Sequence, residues 1–272
     1  MPTWNSTQYL KFGDERTRPS RDLAGRIEVA HPARVIDLGC GPGNSTEVLA
    51  ERWPDAEITG LDNSERMIES ARTAHQASHP TPGAQRYRWV AADIAAWATG
   101  EAGETFDVVF SNAALHWLPD HASLLPRLMQ RVAPGGALAF QMPAHDAPAH
   151  RLMRGIARTM AAAFAWRVDD WHSHEPPFYY DVLAACARRV DLWQTEYVHV
   201  MADAEAIVEW YRGTGLRPFL DALGTDAERE RFTAEFLEGV RDAYPKRPDG
   251  QVLFPFRRVF AIAYASRSEP RA

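Results

Sequence analysis

The stretch VIDLGCGPGNS, Val35 to Ser45, constrains this chain more than any other. An apolar run ends in three glycines and a proline within five residues. Ordered glycine costs backbone entropy, so three together imply a tight turn or a close approach of backbone to a ligand. An apolar strand running into such a loop, and then into a helix, opens an α/β unit. The next segment, NSTEVLAERW, has helical spacing through Val48, Leu49 and Trp53. Asn44 followed three residues later by Glu47 has the form of a capping box.

The same alternation continues to residue 143. AEITGLD (56–62), YRWVAADI (87–94), FDVVFSN (106–112) and ALAFQMP (137–143) read as strands. SERMIESARTAHQ (64–76) reads as a helix with Met67, Ile68 and Ala71 on one face. LLPRLMQRV (124–132) reads as another, in which Pro126 fits only near the first turn, and PGG (134–136) as a turn. Such alternation implies right-handed crossovers and a parallel sheet covered on both faces. After Pro143 the rhythm changes. HRLMRGIARTMAAAFAW (150–166), DAEAIVEWYRGT (203–214) and DAERERFTAEFLEGVRDAY (226–244) are helical, and RVDDWHSHEPPFYYD (167–181) is loop-like. VDLWQTEYVHV (190–200) and QVLFPFRRVFAIAYA (251–265) are strands, although Pro255 argues against an unbroken central ladder at that point. The expectation is one α/β domain over residues 1–272 built on a doubly wound, mostly parallel seven-stranded sheet. It has an N-terminal lid or helix (1–30), a ligand-binding core (33–143), helical segments with one strand (144–250) and a last strand (251–266).

Composition narrows the function. A net charge of −6 argues against a general affinity for nucleic acid, which needs a basic face. Two cysteines, Cys40 and Cys186, are no disulfide framework in 272 residues, so a reducing compartment is expected. MPTWNSTQYLKFGDERTRP lacks the apolar run of a signal peptide, and MAAAFAW from Met160 is too short to span a bilayer. A cytoplasmic protein without metal, membrane or nucleic-acid partners is expected; the pattern carries no sign of oligomeric state.

Ligands of an open parallel sheet sit outside the carboxyl ends of its strands, where Gly39, Gly41 and Gly43 fall. The helix behind them offers free N–H groups and a positive dipole end. Two ligand classes compete: a dinucleotide and S-adenosylmethionine. The dinucleotide fingerprint G-x-G-x-x-G has its third glycine one residue later than here. Asp37 precedes the first glycine by two, where a carboxylate favours a cation and repels a diphosphate. Asp62 ends the second strand, as a ribose-binding acid does in either class. Asp93 falls at the third strand end and suits either a ligand acid or a helix N-cap. Asp37 suits a turn-capping carboxylate equally well.

Together DLGCGPG, GLDNS, AADI and FSNAALHWLPD resemble the class I S-adenosylmethionine-dependent methyltransferases over roughly residues 33–143. The resemblance implies a Rossmann-like methyltransferase fold, with S-adenosylmethionine as cofactor and S-adenosylhomocysteine as its product. It implies that Gly39, Cys40 and Gly41 face the methionine moiety beside Asp37, and that Asp62, with Asn63, holds the ribose hydroxyls. It assigns Asp93 to the adenine amine, Ile94 to the ring, and Asn112 to the methyl-donor end. Tyr9 and Met67 complete the cofactor side. WNSTQYLKFGDERTRP, NAALHWLPDH, TGLRPFL (214–220) and GQVLFPFRRVF further resemble the trans-aconitate 2-methyltransferases across almost the whole chain. That implies a carboxyl O-methyltransferase making a monomethyl ester of trans-aconitate. ARTMAAAFAWRVDDWHSHEPP (157–177) is less like that family, which leaves open another small acid or a hydroxyl acceptor.

A carboxylate acceptor with a pKa of about 4 is already ionised at neutral pH and needs no base. Catalysis is then alignment and exclusion of water, which can contribute roughly 7–11 kcal/mol. A buried polycarboxylate needs paired cations, and arginine matches a carboxylate bidentately. Arg16 and Arg18, Arg217 in GLRPF, and Arg257 or Arg258 are the candidates. Adjacent strand residues face opposite ways, and the family-like FPFRR favours Arg258. Arg18, Arg217 and Arg258, with His116, Gln141 and Tyr180, form the expected acceptor side; Tyr179 stands beside Tyr180. A hydroxyl acceptor would need a base, and His116 is the candidate; as a loop residue it equally suits packing on Trp117. Trp4, Tyr9 and Phe12 suit a lid or a helix staple, and Cys40 a packing role rather than a nucleophile.

Overall fold

In the computed structural model, residues 13–78, 86–100, 103–144, 147–160 and 171–267 are described. Trp4, Tyr9 and Phe12 lie outside them. The sequence reading treats the chain as one domain; the structure groups it into two compact units. The larger takes Gly13–Pro143, His172–Gln194 and the chain from Val259; the smaller takes Ala144–Trp171 and Thr195–Arg258.

The larger unit is built on the sheet. β1 (Arg34–Leu38), β2 (Glu57–Asp62), β3 (Tyr87–Ala91), β4 (Phe106–Asn112) and β5 (Val132–Pro143) are followed by β6 (Arg189–Met201) and β7 (Val252–Tyr264). Their order is β3-β2-β1-β4-β5-β7-β6. The first five strands are parallel, with Asp37 opposite Gly60 and Phe110, and Asn112 opposite Gln141. Strand order reverses between β1 and β4, so the crevice for a ligand opens at their carboxyl ends. Central strands covered on both faces are mostly apolar, and Val35, Ile36, Leu38, Val108, Val109 and Phe110 are all buried. β7 runs against β5: Gly135 N–H donates to Ser266 O and Ala265 N–H to Gly136 O.

Helices α1 (Gly13–Arg26), α2 (Asn44–Arg52), α3 (Glu65–Ser78), α4 (Ile94–Thr99), α5 (His121–Met129) and α7 (Pro176–Ala184) belong to this unit. The smaller unit holds α6 (Pro148–Thr159), α8 (Ala204–Arg212), α9 (Arg217–Ala222) and α10 (Asp226–Ala243). Its core is aromatic, with Tyr211, Phe219, Phe232, Phe236 and Phe254 fully buried. Thr225 and Glu228 form a reciprocal capping box on α10.

Four local expectations are corrected. The N-cap of α2 is Gly43, at φ 98°, with no side-chain cap; Asn44 is already helical, so there is no Asn44–Glu47 box. PGG is not a turn but lies within β5, where Gly135 takes φ 79° and Gly136 has no room for a side chain: a Cβ would stand 2.4 Å from Asp107 O. Pro126 sits inside α5 rather than in its first turn, because the helix starts earlier, at His121, behind the Asp120 N-cap. Pro176 and Pro177 open α7 within the segment read as loop, their fixed φ suiting a first helical turn. Pro255 lies within a continuous β7. Ala144 N–H, one residue past β5, meets Arg257 O, so Pro255 falls beyond the stretch that β5 covers.

Candidate active site

The glycine loop is shaped by three residues with φ of 72° (Gly39), 54° (Gly41) and 98° (Gly43). Gly39 and Cys40 N–H both donate to Leu61 O, at 2.7 and 3.0 Å, which ties the loop to the end of β2. A Cβ on Gly39 would stand 2.2 Å from Ala114 Cβ and 3.7 Å from Ile94 Cδ1, so that approach admits hydrogen only. A Cβ on Gly41 would meet nothing within 4 Å. The loop is thus packed at both shoulders and open at its tip.

Asp37 is wholly buried. Its Oδ2 accepts from Ser45 Oγ and Thr46 Oγ1, both at 2.7 Å, which pins the first turn of α2 to β1. Its Oδ1 has no hydrogen-bond partner. Burial lifts its pKa to about 6; the Ser45 and Thr46 hydroxyls oppose the rise, and the Asp62 charge adds to it. A lone buried carboxylate oxygen calls for a cation or a donor. The capping role and the capacity for a cationic ligand therefore reside on different oxygens of one side chain.

Asp62 Oδ2 accepts from Gly41 N–H at 3.0 Å and Oδ1 from Ser64 N–H at 2.9 Å. The carboxylate couples the loop tip to the turn entering α3, and burial raises its pKa against those two bonds. Asn63 is exposed beside it, and Met67 is buried on α3. Asp93 is the N-cap of α4, accepting from Ala96 N–H at 2.8 Å, with buried Ile94 as the first helical residue. Cys40 is buried, and burial holds its thiol well above its usual pKa, so it packs rather than attacks.

At the end of β4, Asn112 Oδ1 accepts from Gln141 Nε2, and both side chains are buried. Ala113 then takes φ 54°, a left-handed conformation rare outside glycine. This kink directs the chain into the 3-10 turn Leu115–Trp117. His116 is buried, its ring 4.7 Å from that of Trp117, and its carbonyl accepts from His172 N–H. Tyr179 is committed elsewhere. With His121 Nε2 donating to Leu115 O, Nδ1 is the acceptor for the Tyr179 hydroxyl at 3.1 Å, which itself accepts from His174 N–H. Burial pushes Tyr179 up to about 12 and His121 down, which keeps both neutral. Tyr180 is exposed on α7.

The proposed arginines have different surroundings. Arg18 is exposed on α1. Arg217, in the smaller unit, is half-buried with Nε 3.7 Å from Asp221 Oδ2. Arg258, in the same unit, is buried with its guanidinium 4.8 Å from the Phe256 ring centroid, whereas Arg257 is half-buried, as strand alternation expects.

Sequence reasoning missed four residues that support the loop. Ser45 and Thr46 had their signal in a strand-end acid followed by hydroxyls in the next helix turn. His75 on α3 lies against Gly43, whose Cβ would be 2.7 Å from His75 Cε1; no motif announces it. Trp89 covers Gly60, whose Cβ would be 2.4 Å from Trp89 Cζ3. Among the described residues, no cluster of His, Cys, Asp or Glu is arranged to hold a metal ion, and no helix is long and apolar enough to cross a membrane.

The family model described as a methyltransferase domain matches residues 35–136. The YcgJ protein of Bacillus subtilis superposes with a TM-score of 0.60 at 14% identity, covering 92% of this chain and all of that one. A Haemonchus contortus phosphoethanolamine N-methyltransferase, solved with S-adenosyl-L-methionine, gives 0.56 at 14% identity, over 92% of this chain and 53% of that one. Both show the fold. A trans-aconitate 2-methyltransferase of Azoarcus sp. (strain BH72) is 49% identical over 97% of this chain and 99% of its own length. At that identity and coverage, the chain belongs to the trans-aconitate 2-methyltransferase family.

Proposed function

We propose that this methyltransferase esterifies a carboxylate of trans-aconitate, with S-adenosylmethionine as methyl donor and a monomethyl ester as product. The observation that carries the acceptor is the near full-length likeness to a relative named for that reaction. The observation that carries the cofactor is the buried, unpartnered Asp37 Oδ1 at a glycine loop with an open tip.

The residues present fit the cofactor. Asp37 supplies a negative charge suited to a cationic amino acid, and Gly39, Cys40 and Gly41 let backbone come close. Asp62 is placed by two backbone N–H groups to receive ribose hydroxyls, with Asn63 and Met67 alongside. Asp93 and Ile94 take the adenine, and Asn112, fixed by Gln141, the methyl-donor end. The cofactor supplies an electrophilic methyl on a sulfonium.

The protein's own task is placement. A carboxylate acceptor needs no proton removed, so no residue is required as a base. Arginines pair its charges, and Arg258, buried, is the strongest candidate; Arg217 supplements it, and Arg18 is the weakest because it is exposed. His116 and Gln141 contribute by fixed polar contacts rather than proton transfer. The test is methyl transfer to trans-aconitate, cis-aconitate, isocitrate and citrate, with esters located by mass spectrometry. Ester from trans-aconitate at the highest kcat/KM is expected; none from any of the four would overturn the reading. Calorimetry with S-adenosylhomocysteine and with NAD checks the cofactor, and tight NAD binding would refute it.

A further inference from the structure

Among the described residues of the smaller unit, Tyr211 on α8 carries a fully buried hydroxyl with no hydrogen-bond partner. Three phenylalanine rings pack against its own. Phe236 and Phe254 stand edge-on with centroids at 5.9 Å, and Phe256 is tilted at 6.3 Å. A phenylalanine would fill this space without leaving an orphan hydroxyl, whose burial costs stability.

The charge next to it is positive. Phe254, Phe256 and Arg258 alternate along β7 and so share the strand face that Tyr211 packs on. Arg258 is buried, with its guanidinium 4.8 Å from the centroid of the Phe256 ring, which itself lies 6.3 Å from that of Tyr211. The other titratable neighbour, Tyr244, has its own hydroxyl occupied by Ala149 N–H at 3.1 Å. A neutral donor beside a buried guanidinium is the pair that a desolvated carboxylate needs: one group to cancel its charge, one to satisfy a remaining lone pair.

We propose that Tyr211 is a specificity-determining residue for the acceptor, its hydroxyl donating to a carboxylate oxygen whose charge Arg258 pairs. This rests on the carboxylate-acceptor reading above. No bond is made or broken by Tyr211; it selects and positions.

Tyr211→Phe in the full-length enzyme tests it. The KM for trans-aconitate should rise on the order of 10- to 100-fold, as for loss of a hydrogen bond to a charged group. The KM for S-adenosylmethionine should stay within about twofold. The Ki of tricarballylate, an unreactive tricarboxylate, should rise with the acceptor KM. The Tm should hold or increase, since an orphan hydroxyl is removed. Acceptor KM and Ki both unchanged, whatever the Tm does, overturns the assignment. If the wild-type enzyme forms no ester from any polycarboxylate, the functional reading fails and takes this proposal with it. If wild type forms the ester and the variant shifts neither constant, the proposal alone fails.

Discussion

Thr46 Oγ1 lies 2.7 Å from Asp37 Oδ2 and donates to it, while Oδ1 of the same carboxylate has no partner. Burial makes Asp37 a pH-sensitive group. Its folded pKa of about 6 exceeds the ordinary 3.8, so the native state holds the proton more tightly than the unfolded chain. The stabilisation is full below pH 3.8 and is lost as pH rises through about 6, on the order of 3 kcal/mol. The free enzyme should therefore lose Tm between pH 5 and 7 more steeply than an Asp37→Asn variant. A bound cation reverses the preference and drives the proton off. Calorimetric binding of S-adenosylmethionine near pH 6 should show proton release, read as a dependence on buffer ionisation enthalpy. Binding without proton release would sink the cation role.

Asp62 holds two segments at once. Asp62→Ala removes the acceptor for Gly41 and Ser64 N–H, both in part-buried positions. Each orphaned donor costs about 1–3 kcal/mol. Thermal denaturation should show that loss, and S-adenosylhomocysteine affinity should fall further than stability explains. Asp62→Asn keeps one acceptor oxygen and should restore more stability than affinity.

Gly39→Ala tests the packed shoulder of the loop. Its Cβ would stand 2.2 Å from Ala114 Cβ at φ 72°, so backbone must move. Cofactor binding should be lost while the protein stays folded. Gly41→Ala has open space but φ 54°, so it should cost only about 1–2 kcal/mol of backbone strain and leave measurable binding. Equal effects from the two variants would contradict the packing account.

The alternation of apolar runs and helical spacing was enough to read the seven strands, because the runs are short, rich in β-branched and aromatic residues, and bounded by glycine, proline or polar turns. The positions of the glycine loop and of Asp37, Asp62 and Asp93 near strand ends were legible from the motif spacing, whereas the hydrogen bonds that Asp37 and Asp93 make to the helices behind them come from the structure. What failed were boundaries decided by tertiary space. Asn44 is a good cap by type, but Gly43 takes the position because the loop must turn at φ 98°. PGG has turn chemistry, yet Gly136 sits where only hydrogen fits beside Asp107 O. His75 and Tyr211 were invisible because their significance is entirely who stands next to them.

The arginines should rank by burial. Arg258→Gln should raise the acceptor KM most, because a buried guanidinium is poorly replaced by water. Arg217→Gln should act less, since the Arg217 side chain is half-buried with an acid, Asp221, already nearby. Arg18→Gln should change acceptor kinetics least, from its exposed place on α1. Steady-state kinetics with trans-aconitate varied at saturating cofactor measures all three. A larger effect at Arg18 than at Arg258 would move the acceptor side to α1.

His75 is the support beneath the N-cap of α2. Its Nε2 lies 3.0 Å from Glu47 Oε2 and its Nδ1 3.1 Å from Ala71 O. The rings of Tyr87 and Trp89 meet it edge-on at 4.8 and 4.9 Å. His75→Ala opens a void against Gly43 and should cost roughly 2–4 kcal/mol, as large-to-small changes in packed interiors do. Gly43 closes the loop by donating to Cys40 O at 3.1 Å, so the loosened turn should also weaken S-adenosylhomocysteine binding. Acceptor KM at saturating cofactor should not change. Denaturant unfolding and calorimetry on one preparation separate the two losses. A stability loss with unaltered cofactor affinity would reduce His75 to packing alone.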